Sequence, residues 1–202
     1  MQVLKDEIRN SIHRSALAEF KEKGFRKSSM REIAKRAGIT AGNLYRYFGS
    51  KEDLFYAVVS PAFGRIVKLI KENKEFDYAG DGKYSNHLEY AADRIAKIHG
   101  EFHNELLILI DGSRGTVYER AKEEVITMFE ENIRHLLSKS WPEGVTGDRR
   151  FIAHVIAAGY IEGLVTIMRH YGNDTEAVDA MAVFTVFLFD KYARGLDCKG
   201  GY

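Results

Sequence analysis

The apolar residues of this chain recur at intervals of three and four, and no run alternates at two for long enough to suggest a half-buried strand. The pattern predicts an all-α protein of about nine helices. Ile8, Ile12, Ala16, Leu17 and Phe20 set the first, closed at Gly24 by a residue that tolerates positive φ. Ser29, with Glu32 three residues later, predicts a capping box for a second helix that stops at Gly38. Thr40 is placed to cap a short third helix through Tyr47. Ser50, followed by Glu52 and Asp53 beside the positive end of the helix dipole, opens a long fourth. Pro61 and Gly64 fall inside that helix, and an interior proline loses a backbone bond, so a kink is expected there.

Residues 76–83, with Gly80 and Gly82, read as a loop. Residues 84–98 and 102–110 read as the fifth and sixth helices, 111–115 as a turn, and 117–136 as a seventh helix ending before Pro142. Two last helices, 149–171 and 175–196, are apolar over most of their circumference and must be covered on all sides.

Composition narrows the class. In 202 residues there are 2 prolines and one cysteine, Cys198, which removes disulfide scaffolds and cysteine-based zinc sites. The N-terminus is charged within five residues and lacks the apolar run of a signal peptide. The most apolar stretch, 180–189, falls well short of the roughly 20 residues that span a bilayer. A cytoplasmic protein with no membrane partner is expected. The net charge of +1 names no partner, yet residues 1–51 hold 12 Lys/Arg against 5 Asp/Glu while the remainder holds 18 against 24. A basic head on an acidic body is the footprint of nucleic-acid binding through one end.

The sharpest motif is SMREIAKRAGITAGNLYRYFGSK, running from Ser29 to Lys51. Two short helices meet at a turn around Gly38, with small Ala34 at the crossing and Ile33, Ile39 and Leu44 as the clamp. That is the construction of a helix-turn-helix, whose second helix enters the major groove of DNA. Thr40, Ala41, Gly42 and Asn43 form a small polar leading edge, while Tyr45, Arg46, Tyr47 and Lys51 can reach phosphates. The block IAKRAGITAGNLYRYFGSKEDLF resembles the DNA-binding domain of the TetR family of bacterial transcriptional regulators, over roughly residues 5 to 60. The resemblance implies a homodimeric repressor that leaves its operator when a small molecule enters the C-terminal domain. It places DNA contacts on Ser29, Thr40, Ala41, Gly42, Asn43, Tyr45, Arg46, Tyr47 and Lys51, and divides the chain into a DNA-binding domain, 1–50, and an effector-binding and dimerisation domain, 51–202.

Other constellations are weaker. The segment Gly112-Ser113-Arg114-Gly115 lacks the first glycine and the strand of a nucleophile elbow, Gly80 and Gly82 form no phosphate loop, and Cys198 reads as an inert thiol, so no enzyme is expected. His99 and His103 stand one turn apart and can furnish half of a metal site or line a ligand site. Glu101, however, is not where a zinc protease places its glutamate, and neither metal nor cofactor is expected. An effector needs a concave, mostly apolar site with polar anchors. Candidates are Phe63, Phe102, Met128 and Tyr160 beside Tyr90, Arg94, His99, His103 and Tyr118. The surplus of apolar positions from Arg149 to Leu196, with small Ala153, Ala157 and Gly163, predicts a twofold four-helix dimer interface, which sets two recognition helices about one DNA turn, roughly 34 Å, apart on a near-palindromic double-stranded operator.

Overall fold

A computed structural model describes residues 2–74, 83–140, 147–172 and 175–197. These residues form eight α-helices and one π-helical turn: α1 (Gln2–Lys27), α2 (Met30–Arg36), α3 (Ala41–Tyr47), α4 (Lys51–Lys74), α5 (Lys83–Leu107), the π turn (Ile108–Gly112), α6 (Ala121–Ser140), α7 (Arg149–Tyr171) and α8 (Thr175–Asp197). The chain divides into two compact units, Met1–Gly64 with Asn104–Lys122, and Arg65–His103 with Glu123–Tyr202. The expected loop at 76–82, Pro142 and Cys198 lie outside the described residues.

In the first unit, α1 turns at Gly24, whose φ of 66° only glycine takes without strain. That glycine also lets the π turn come close: a Cβ on Gly24 would stand 3.4 Å from the Gly112 Cα and carbonyl oxygen. Beneath the surface Phe20, Phe25 and Phe55 pack edge to face or tilted, with centroids 5.0 Å apart for Phe20–Phe55 and 5.2 Å for Phe25–Phe55. Ile12, Ala16, Ile33, Leu44 and Leu54 complete a core with almost no exposure.

The second unit is built from the end of α4, most of α5, and α6 to α8. Leu88, Ile126, Ile133, Leu136, Leu137, Ala153, Ala157, Tyr160 and Phe189 form one buried cluster. The Asn132 amide of α6 donates to the Ile70 carbonyl of α4 at 2.9 Å. Helix α7 has the length and apolar composition of a bilayer span, yet Ala153, Ala157 and Tyr160 are buried in this core, and Val165 and Met168 are buried as well.

Several expectations change in detail. The fifth and sixth helices are one, α5, broken only at Phe102 (φ −128°, ψ 23°). The seventh begins at Ala121 instead of 117 because polar side chains take over the preceding backbone: Thr116 Oγ1 donates to the Ser113 carbonyl at 2.7 Å and accepts from Tyr118 N at 3.0 Å. Ser29 has the extended dihedrals of an N-cap, but its hydroxyl makes no cap bond, so the expected capping box is not formed. Helix α4 continues through Pro61 to Lys74. Gly163 serves packing within the chain: a Cβ there would stand 2.2 Å from Cζ of Phe184, so it seats the α8 ring against α7.

Candidate nucleic-acid interface and ligand cavity

The turn between α2 and α3 is made by backbone bonds that use up the last carbonyls of α2. Ala37 N donates to Ile33 O at 2.9 Å, and Ile39 N to Ala34 O at 3.0 Å. Gly38, at φ 71°, reverses the chain between them. Thr40 then caps α3, its hydroxyl accepting from Asn43 N at 3.1 Å. Ile33, Ala34 and Leu44 are fully buried, which pins α3 at a fixed angle across α2.

What α3 leaves outside is the expected edge. Thr40, Gly42, Tyr45 and Arg46 are exposed, and Ser29, Ala41, Asn43 and Tyr47 are half-buried. Tyr45 keeps 51% of its surface in solvent, and a Cβ on Gly42 would meet nothing within 4 Å, so backbone and ring are both open to an approaching partner. Eight of the nine named positions thus keep at least part of their surface in solvent. Lys51 is different: its ammonium donates to the carbonyls of Phe25 at 2.8 Å and Ser28 at 3.2 Å and stands 4.4 Å from the Phe25 ring centroid. It closes the C-terminal end of α1, where a cation complements the helix dipole.

Sequence reasoning passed over Glu19, whose carboxylate is buried between Lys23 at 2.9 Å and Arg36 at 3.4 Å. Arg36 also reaches Glu22 at 2.6 Å. The Arg36 bond and charge hold the Glu22 carboxyl below its usual range, and Glu22 in turn raises Arg36. A carboxylate on the apolar stripe Ile12–Ala16–Glu19 was the available signal: it ties α2 to α1 beneath the recognition helix.

The nine effector candidates are divided between the two units. Phe63 and Tyr118 belong to the first unit, centroids 5.2 Å apart, and the Tyr118 hydroxyl donates to Ser60 Oγ at 3.0 Å. Tyr90 is exposed with Arg94 5.9 Å from its ring, and Phe102 and Met128 are half-buried. His99 and His103 are buried edge to face at 4.9 Å. The His99 Nε2–H donates to the Gly172 carbonyl at 2.9 Å, and burial pushes its pKa below the usual value, that bond opposing the shift. Among the described residues no three His, Cys, Asp or Glu side chains gather as a metal site.

Of the nine, only Tyr160 lines a cavity of about 60 Å³ in the second unit, bounded by α4, α5, α6, α7 and α8. Its walls are Leu88, Ala91, Ile95 and Ile133, then the rings of Phe129, Tyr160 and Phe189, with Asn73, Asn132 and Thr185 as polar members. Burial pushes the Tyr160 phenol up to about 12. Asn132 and Thr185 were missed although each is a polar residue inside an apolar stripe, Thr185 between Met181 and Phe189 at four-residue spacing.

A rigid pair of short helices, presenting a small polar edge from a basic head, defines a helix-turn-helix DNA-binding protein. Residues 12–58 match the family described as bacterial regulatory proteins, tetR family. The match covers the helix-turn-helix and the helices on either side of it, so this stretch of the chain is similar to the DNA-binding domain of that family. It is 24% identical over 146 residues to the uncharacterised HTH-type transcriptional regulator YfiR of Bacillus subtilis, covering 69% of this chain and 68% of YfiR. It is 26% identical over 77 residues to IcaR of Staphylococcus epidermidis, a negative transcriptional regulator of a biofilm operon, covering 38% of this chain and 42% of IcaR. The chain spans 30–42% of the length of five of the curated relatives it matches. Its fold is shared with the TetR-family regulator PfmR of Thermus thermophilus, with a TM-score of 0.63 at 22% identity over 89% of this chain and 97% of that one.

Proposed function

We propose that the protein is a ligand-responsive transcriptional repressor of the cytoplasm, binding a near-palindromic operator as a homodimer and released by a small-molecule effector. The observation that carries this reading is the exposed edge of α3, Thr40 to Arg46, set on a fully buried Ile33–Ala34–Leu44 clamp. Residues 1–50 act as the DNA-binding domain and 51–202 as the effector and dimerisation domain. Repression follows from occupying promoter DNA, and IcaR is named a negative regulator. Dimerisation is supported by apolar side chains left in solvent on the last two helices, Phe151 and Val155 on α7 and Val183 and Phe187 on α8, with Phe187 78% exposed. The chain passes between the units inside three helices, at Gly64–Arg65 in α4, His103–Asn104 in α5 and Lys122–Glu123 in α6, so each of these helices is a covalent link. Ligand and DNA must weaken each other reciprocally, since only a differential affinity for two states shifts an equilibrium.

The deciding experiment is retardation of a DNA fragment from the protein's own promoter region, repeated with Asn43→Ala and Arg46→Ala. Arg46→Ala is expected to weaken operator and random DNA alike and to flatten the salt dependence by about one counterion. Asn43→Ala is expected to relax discrimination, by about 1–3 kcal/mol for a well-formed base contact. Equal losses on both DNAs for both variants reject this assignment of roles, and no retardation at all rejects the function.

A further inference from the structure

Resting on the effector reading above, we infer that the cavity of the second unit takes small uncharged molecules that carry a hydroxyl or N–H on a short apolar body. Three observations converge on that class.

The first is the absence of charge: among the described residues that line the cavity none ionises near neutral pH, because the titratable one, Tyr160, is held at about 12. A carboxylate or ammonium drawn inside would leave water and meet no opposite charge among the walls.

The second is the state of the polar members. The Thr185 hydroxyl donates its proton to the Met181 carbonyl at 2.7 Å, since a carbonyl can only accept. The 2.8 Å contact between Tyr160 and Thr185 is therefore donated by Tyr160, whose proton is thereby used. Asn132 points its amide at the Ile70 carbonyl, which fixes the identity of its two terminal atoms and leaves Oδ1 buried without a partner. Tyr160 spends its only proton on Thr185 and Asn132 spends one of its two amide N–H groups on Ile70, while the Tyr160 oxygen and Asn132 Oδ1 both retain acceptor capacity. A ligand that satisfies them has to bring the proton, and an ether or ketone of the same shape leaves Asn132 Oδ1 as it is.

The third is size. About 60 Å³ is less than half of the roughly 150 Å³ that accepts a benzene ring in an engineered apolar cavity. A polar head with a few carbons fits, and anything longer has to displace the Tyr160 or Phe189 ring.

The test uses the full-length protein and four probes of matched length: 1-butanol, its isomer methyl propyl ether, butanoate and butylammonium, at pH 7.5. Binding is read by ligand-observed NMR and by the side-chain amide resonances of Asn132, and the same probes are added to the protein–operator complex. The expected result is 1-butanol binding at least about tenfold tighter than the ether, with neither ion bound. Ala91→Leu, which adds three carbons to an apolar wall residue and so reduces the space, should abolish butanol binding. Equal binding of butanol and ether, tighter binding of either ion, or butanol binding that survives Ala91→Leu overturns the assignment. If none of the four binds while a different molecule both binds and releases DNA, the ligand class is wrong and the effector reading stands. If butanol binds with the expected selectivity yet leaves operator affinity unchanged at saturation, the cavity chemistry stands and the effector reading falls.

Discussion

The α2–α3 surface and the cavity of the second unit are opposite solutions to the problem of making a site. The first is a surface feature on one contiguous stretch, Ser29 to Lys51, and it needs a core beneath it that does not yield. Ile12, Ala16, Phe20, Ile33, Leu44 and Phe55 supply that, none more than 1% exposed. The second is a gap in a core, and its walls come from Asn73 to Phe189 in five helices. Two of its walls, Leu88 and Ala91, keep 7% of their surface in solvent. Sites that read DNA need fixed geometry, whereas sites that admit a molecule draw on the less stable part of a structure.

The largest expected effect breaks the rigid side. Phe55→Ala removes the ring shared by Phe20 and Phe25 and should destabilise the first unit by about 3–5 kcal/mol, the usual range for a buried aromatic cut to alanine. DNA binding should be lost while butanol binding in the second unit persists. Calorimetry showing one lower transition in which both activities disappear together would mean that the two units do not unfold separately. The counterpart on the yielding side is Gly163→Ala, whose Cβ meets the Phe184 ring at 2.2 Å. Forcing that ring aside should cost about 1–3 kcal/mol, visible as a lower Tm with the DNA affinity of the folded protein retained. An unchanged Tm would show that Phe184 swings out freely and that α7 and α8 are not seated by this contact.

The same contrast explains what could be read in the sequence. Ile33, Gly38, Thr40 and Leu44 are neighbours along the chain, so their spacing encodes the turn, the cap and the clamp, and the structure forms all three. Capping box and hydroxyl bond are side-chain choices on top of that backbone, and at Ser29 the choice went the other way. Lys51 illustrates a different limit: its position at the start of α4 was legible, but its engagement with Phe25 and Ser28 depends on where α1 ends in space. For the cavity, Tyr160 was identified by residue type alone. Phe63 and Tyr118, chosen by the same reasoning, belong to the first unit, because amphipathic spacing says that a residue is inside without saying which inside.

A smaller effect sharpens the reading of the head. Thr40→Ala removes the bond accepted from Asn43 N and should destabilise by about 1 kcal/mol, whereas Ser29→Ala should cost only a few tenths because no cap bond exists to lose. Urea unfolding of the two variants side by side measures the difference directly. Equal losses would restore the capping box at Ser29 and place a bond there that this structure does not contain.

The smallest effect is expected from pH, and it belongs to the second unit. His99 is 1% exposed and donates Nε2–H to the Gly172 carbonyl, so its neutral ring carries the lone pair on Nδ1, which is buried without a partner. Charging the ring means placing a proton there, and burial makes that unfavourable, lowering the folded pKa below the usual 6.5 despite the opposing bond to Gly172. In the unfolded chain the ring takes up its proton near 6.5. Between the two values the unfolded state binds more protons, so stability is unaffected above about 6.5 and falls as the pH drops through that window towards the folded pKa. His99→Gln keeps an N–H for the Gly172 carbonyl and cannot titrate. Its Tm should therefore fall less steeply than that of the parent between pH 6.5 and 5, with the two curves parallel above pH 7. An identical slope in both proteins would assign the acid sensitivity elsewhere.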